Sequence, residues 1–432
     1  MNLFAHSIAS KGGVAFVRRV GTIAWRFQLT SARAERSVGA YLATLRHHGC
    51  NATFPITAVV LRRHQDLIRH LADEGVEFAV HGYVHTDMTT LTATQQCEHL
   101  ARALDVFDLA GIPPRGFRGP YLRYDEDTIA AAASLGFEYV SNETVSYDVL
   151  EPDSFNPARW AEYQRALKLY SAIPVDQAIV RPRRRSGVIE IPVAMPDDEI
   201  LVDRLGLRHG EQIGAIWVKA LDRSYARGDL LTLQLHPERG GLCRKGLSIL
   251  LTVARSKAPA VWIAQLRDIA DWWRRRAAFR LEVEAAGDGR WRISGTGAPD
   301  VVILLQNLRC PGAMSWYGPY ARLDRLGETV ESPVRPTIGV SAESEELRRF
   351  LEEEGYAVSS GVEPESCALY LDRPGPLTLA NQAAVLERIE NSPAPLVRLA
   401  RWPDGARSAL SITGDVDALT LRDFVSRTWE VI

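Results

Sequence analysis

The segment HGYVHTD places His81 and His85 four residues apart at the end of a predicted strand. In a helical turn an i, i+4 pair faces one way, and two imidazoles on one face can ligate a divalent cation. Such spacing also arises by accident on surfaces, so it gains weight from its company. GFRGPYLRYDEDT, residues 116–128, sets Arg118 and Tyr121 around the rigid Gly119-Pro120 step after another short strand. LLTLQLHPERGG, residues 230–241, delivers His236 at the end of a third strand, where Pro237 stops it. Loops at the C-terminal ends of parallel strands are where α/β barrels assemble their active sites.

The elements that must position these groups alternate along the chain. Apolar residues at three- and four-residue steps predict two helices between 14 and 48, broken near Thr30-Ser31. There follow a buried strand at 52–57, a helix at 60–74, a strand at 77–81, a helix at 93–111 and a strand at 116–118. A helix at 126–135 and strands at 137–141, 188–194 and 229–235 continue the pattern. Strands separated by helices pair in parallel. Residues 261–276 form an amphipathic helix with Trp262, Leu266, Ile269 and Trp273 on one face, and the character of the sequence changes near 277. Beyond it, 279–305 reads as hairpins around Gly287-Asp288-Gly289 and 336–371 as strand, helix and strand. ALSITGDVD, 409–417, is an apolar strand running into acids. The RPRRR cluster at 181–185 could contact an anionic substrate but reads first as a solvated loop.

With 51 Lys plus Arg against 53 Asp plus Glu, the net charge of -2 carries no nucleic-acid footprint. Cys50, Cys97, Cys243, Cys310 and Cys367 lack CxxC spacing and are odd in number, which argues against a disulfide framework or a thiolate zinc site and for a reducing compartment. The N-terminal residues lack the apolar core of a signal peptide, and nowhere do 18 apolar residues run together, so a cytoplasmic location without a transmembrane segment is expected.

HGYVH, RGPY and the strand-end LH pair, in this order over residues 50–275, resemble the successive motifs of the polysaccharide deacetylase family, which shares the NodB homology domain and is also called carbohydrate esterase family 4. The resemblance implies an α/β fold, a distorted (β/α)7 barrel, and hydrolysis of an N-acetyl or O-acetyl group on a carbohydrate. It further implies a divalent metal, Zn²⁺ with Co²⁺, Mn²⁺ or Ni²⁺ as substitutes, held by His81, His85 and an aspartate. A second aspartate acts as base, His236 as acid, Arg118 holds the base, and the Tyr121 amide helps to bind the oxyanion. Asp197 and Asp198, after the strand IEIPVAM, fall where the family has an aspartate that supports the arginine.

The departure lies at the start, where the family opens with a strand ending in an acidic pair. The first 60 residues hold no Asp and one carboxylate, Glu35, in a helical stretch. Two neutral histidines alone would leave the metal without charge compensation and the reaction without a base. Asp415 and Asp417 are the candidate replacements, since residues i and i+2 of an extended strand point to one side. Asp417 is thereby assigned as third ligand and Asp415 as base, which makes the chain a circular permutation with its usual first strand last. The expected organisation is a barrel over 1–276 with a helical lead-in to about 48, a small α+β segment over 277–405 inserted before a C-terminal barrel strand, and 406–432 completing the barrel. Two other readings share these residues: an amidohydrolase on a cyclic amide, and a catalytically silent module that holds a glycan or a partner. Asp87 and Asp125 are expected to be turn residues.

Overall fold

The computed structural model describes residues 30–372 and 375–426, apart from the side chain of Ala380. The first of the two helices expected between 14 and 48 lies outside the described residues, and the second runs Ala32–His47, burying Val38, Tyr41, Leu42 and Leu45.

The main sheet has twelve strands; Ile173–Pro174 and Arg183–Arg185 edge it, and the other ten are β1 (Thr53–Ile56), β2 (Glu77–Val80), β3 (Gly116–Phe117), β4 (Tyr139–Val140), β5 (Thr144–Ser146), β6 (Val188–Glu190), β7 (Val193–Met195), β8 (Leu230–Leu235), β9 (Val261–Ile263) and β10 (Ser408–Gly414). Their hydrogen-bond path runs β5-β7-β8-β10-β1-β2-β3-β4-β6, and every pairing along it is parallel. Segments 139–146 and 188–195 pair with each other at both ends of this path, so the curled sheet returns on itself as a distorted barrel of seven staves. Helices pack outside, as the 10–15-residue crossovers between parallel strands require.

The strand that comes last in the chain sits inside this sheet. β8 is paired along its whole length with β10, from Leu230↔Ala409 to Leu235↔Gly414, and β10 also pairs with β1 through Thr53↔Thr413. The run ALSITG supplies the reason: all seven residues of β10 are buried, with Leu410 and Ile412 in the apolar core and Ser411 and Thr413 on the alternate face. Thr232 and Gln234 stand beside them in register. The barrel interior is therefore polar above an apolar floor of Ala79, Tyr139, Leu230 and Ala409, which Trp272, Trp273 and Trp402 close from below.

Several expected elements are cut differently. The helix at 60–74 divides into Ala58–Arg63 and Gln65–Asp73 at His64, whose backbone leaves the helical region. The strand at 188–194 divides around Ile191-Pro192, because proline cannot donate to a ladder. In the segment 261–276, Val261–Ile263 pairs with the start of β10, and the helix begins only at Leu266 behind the Gln265 cap. The arginine cluster is not a solvated loop. Arg181 is buried against Glu354 and Glu353, Arg183 pairs with Glu143 and Arg185 with Glu126.

From Arg280 onward three small sheets follow, and the hairpin at Gly287-Asp288-Gly289 ends at Thr296, since Ile303–Gln306 joins a different sheet against Tyr320–Leu323 and Leu396–Leu399. Arg335–Val340, Val358–Ser360 and Cys367–Leu371 form a parallel sheet with the helices Glu345–Glu354 and Leu379–Glu390. This unit docks on the floor of the barrel. There Glu354 lies fully buried and meets the guanidinium groups of Arg181 and Arg401, the latter at 2.8 Å, while Arg401 also reaches Asp229 at 2.9 Å.

Candidate metal centre and acid–base site

At the opposite end of the barrel, β2 leads into His81, which is buried. The two histidines converge on a loop and not in a helical turn, because Gly82 adopts a φ of +81° and turns the chain. A Cβ at Gly82 would lie 2.8 Å from His99 Nε2, and the Tyr83 amide donates to that same nitrogen at 2.9 Å. Burial lowers the His99 pKa to about 4, so it stays a neutral acceptor beneath the loop.

β10 brings the acids to the histidines. Asp417 Oδ1 lies 3.4 Å from His81 Nε2 and Asp417 Oδ2 lies 3.3 Å from His85 Nε2. The ligand-type atoms of His81, His85 and Asp417 all fall within 4.8 Å of one another, a set of two nitrogens and a carboxylate oxygen that suits a divalent cation. The tautomer of His81 follows from its other nitrogen. Nδ1 is 2.8 Å from the Arg118 carbonyl, which can only accept, so Nδ1 carries the proton and Nε2 turns a lone pair toward Asp417. Two acceptors facing each other at this distance repel unless a proton or a metal cation lies between them.

Asp415 is buried and lies 3.9 Å from His81 Nε2. Arg118 Nη1 donates to its Oδ1 at 2.9 Å and Gln234 Nε2 to its Oδ2 at 2.7 Å. Arg118, itself fully buried, is fixed further by Thr413 Oγ1 at 2.9 Å, the Ser141 carbonyl at 3.1 Å and Ser141 Oγ at 2.9 Å. The loop after it turns sharply, because Tyr121 and Leu122 take φ values of 59° and 54°, positions that side chains other than glycine rarely occupy. The Gly119 amide, bonded to Asn142 Oδ1 at 2.6 Å, anchors that turn. The Tyr121 ring stands edge-on to His85 with centroids 4.3 Å apart.

His236 follows β8 and neighbours the acids, since the Asp415 amide donates to the Leu235 carbonyl at 3.0 Å. Asp198 Oδ1 lies 2.6 Å from His236 Nδ1, and Asp198 Oδ2 accepts the His236 amide at 2.8 Å. Burial alone would discharge the imidazolium, but the Asp198 charge outweighs it and raises the His236 pKa to about 10. The role expected for Asp197 and Asp198 is thereby corrected. Asp198 holds His236 and not Arg118, whose partners are Asp415, Thr413 and Ser141. Asp197 accepts the Ile200 amide at 2.8 Å, and burial with the charges of Glu199 and Asp198 raises its pKa to about 7. Asp87 caps the short helix at Met88–Thr90, and Asp125 caps Glu126–Ser134, as turn residues should.

Sequence reasoning did not find Gln234, Thr413, Ser141, Asn142 or His99. Gln234 and Thr413 sit two residues before His236 and Asp415 on buried strands, and the strand period of two was the signal that could have found them.

Residues 30–140 match the model of the family described as polysaccharide deacetylase. The chain is 41% identical over 70 residues to a peptidoglycan deacetylase-like protein of Gibberella zeae, covering 16% of this chain and 21% of that one. It is 22% identical over 187 residues to the peptidoglycan deacetylase of Helicobacter pylori, covering 40% and 60%. The chain thus spans less than two thirds of either relative. A Mycobacterium smegmatis structure described as that of a polysaccharide deacetylase is similar at 21% identity and a TM-score of 0.44, covering 62% of this chain and 86% of that one. The matched stretch, which holds His81, His85, Arg118 and Tyr121, is similar to the polysaccharide deacetylase family. His236, Asp415 and Asp417 lie beyond that stretch and join the site through the fold alone. Among the described residues, no helix is long and apolar enough to cross a membrane.

Proposed function

We propose that this protein is a metal-dependent hydrolase that removes acetyl groups from an N-acetylated carbohydrate. The observation that carries the reading is the meeting of Asp415 and Asp417 with Arg118, His81 and His85, groups about 300 residues apart in the chain. A divalent cation held by His81 Nε2, His85 Nε2 and an Asp417 oxygen would supply Lewis acidity toward the acetyl carbonyl and the attacking water, and Zn²⁺ suits this donor set.

The protein's own residues do the rest. Asp415, oriented by Arg118 and Gln234, retains lone pairs to accept the proton of the attacking water. The Tyr121 N–H, on a turn that the Gly119–Asn142 bond holds, donates to the developing oxyanion. His236, charged through Asp198, protonates the departing amine.

The reading includes a circular permutation, supported by the position of β10 between β8 and β1, with residues 277–405 as a separate unit docked on the floor and 406–432 completing the barrel of 1–276. It also includes a reducing, cytoplasmic setting, supported by the five free thiols. The test is acetate release from a panel of N-acetylated and O-acetylated glycans, with metal analysis of the same sample. Acetate release that a chelator abolishes and Zn²⁺ or Co²⁺ restores is expected. Hydrolysis that continues in a metal-free sample would overturn the reading.

A further inference from the structure

The acid that completes the metal centre stands near the end of the described chain, and the structure ties it down on both sides. Upstream, the Asp415 amide donates to Leu235 and the Val416 amide to the Pro55 carbonyl at 2.8 Å. Downstream, residues 419–423 form a capping box at the start of the helix Leu421–Ser426. The Thr420 amide donates to Asp423 Oδ2 at 2.9 Å and the Asp423 amide returns a bond to Thr420 Oγ1 at 3.2 Å.

A capping box needs nothing outside its own helix, yet here a second pair of groups enters it. His64 Nε2 lies 2.8 Å from Asp423 Oδ2, and Arg63 Nη1 donates to Asp423 Oδ1 at 3.2 Å. Asp423 is 1% exposed. Burial disfavours its charge, but the bond from His64 and those of Thr420 prevail and hold its pKa at about 2. His64 stands at the break between helices Ala58–Arg63 and Gln65–Asp73, where an unbroken helix was expected. The break gives His64 and Arg63 a common partner in Asp423. Pro55 and His64 belong to one continuous segment, β1 with its following helix, so Asp417 is suspended between two anchors on the same support.

We propose that His64 and Asp423 are positioning residues for the metal centre, which hold the 415–423 turn against the β1 segment so that Asp417 meets His81 and His85 without first being ordered. The proposal rests on the deacetylase reading of that centre. Pre-ordering a ligand spares the entropy that would otherwise be lost on binding. Residues that support a ligand from behind typically alter metal affinity by about 10–100-fold when removed.

The test is calorimetric titration of the full chain with Zn²⁺ and with Co²⁺, using wild type, His64→Leu, His64→Gln, Asp423→Asn and the His64→Leu/Asp423→Asn pair, beside amide hydrogen exchange over 415–418. At least about tenfold weaker cation binding is expected for His64→Leu and Asp423→Asn, with no further loss in the double variant. His64→Gln, which keeps a donor, should recover most of the affinity, and exchange at 415–418 should quicken in the two weak variants. Thermal midpoints within a few degrees of wild type would separate this from general unfolding. Wild-type affinity in both single variants, or unchanged exchange at 415–418, would overturn the proposal. Cation binding that survives His81→Ala would instead overturn the deacetylase reading, and the exchange measurement would still decide the proposal.

Discussion

The two ends of the barrel bury charge in opposite ways. At the floor, Glu354 is surrounded by donors: the Arg181 and Arg401 side chains meet its carboxylate, and Arg276 Nη2 and Arg398 Nη2 meet its backbone carbonyl at 2.9 and 3.1 Å. The guanidinium groups hold its carboxyl far below the usual range against the opposing effect of burial. At the mouth, Asp417 and the Nε2 atoms of His81 and His85 stand at 3.3–3.4 Å, beyond the distance of a strong charge-assisted hydrogen bond, with the lone pair of His81 turned toward the carboxylate. Donors closed on acceptors make a joint. Acceptors converging on one point make a ligand set.

The first way to break this comparison is to remove His236, the group at the mouth assigned to proton transfer. His236→Ala should lower kcat by about 10²–10⁴ with little change in KM, measured by acetate release, because in the proposed reaction the imidazolium acts on the leaving amine and not in binding. An equal loss carried entirely by KM would move His236 from acid to binding residue. At the floor, Glu354→Ala leaves several buried guanidinium groups without their carboxylate and should cost about 3–5 kcal/mol in chemical denaturation. The folded fraction should keep its cation stoichiometry. Loss of cation from folded protein would mean that the two ends are not independent.

The mildest change addresses how His236 keeps its proton. Its pKa is raised to about 10, so the stabilisation from the Asp198 pair is complete below about 6.5, the ordinary imidazole value, and disappears as pH rises through about 10. Activity should therefore persist through neutral pH and fall on the alkaline side. In Asp198→Asn that alkaline fall should begin at lower pH. A pH–kcat profile that does not move would show that Asp198 supports the strand end and not the proton.

The sequence reached the mouth more completely than the floor. His81, Arg118, Tyr121 and His236 sit where strands end, and a strand end is legible from an apolar run stopped by Gly or Pro. Asp415 and Asp417 were legible because an apolar strand ran into two acids at i and i+2. The Glu354 joint was not. Arg181 lies in RPRRR and Glu354 in a run of glutamates, and isolated charge runs read as solvated until tertiary contacts bury them. The strand Val261–Ile263 was hidden for a related reason. Its residues fit the apolar stripe of the helix that follows, and only pairing with β10, nearly 150 residues later, extends them. The partner of Asp198 was misassigned because sequence order does not reveal which of two nearby cations, Arg118 or His236, the fold presents.

The most direct test of the central claim is an anomalous difference map from crystals of the Zn²⁺-loaded protein. The account predicts one strong peak within about 2.0–2.2 Å of His81 Nε2, His85 Nε2 and an Asp417 oxygen. A second group, Asp197, Asp198 and His236, also clusters closely enough to hold an ion. A peak there, with none between His81, His85 and Asp417, would contradict the account.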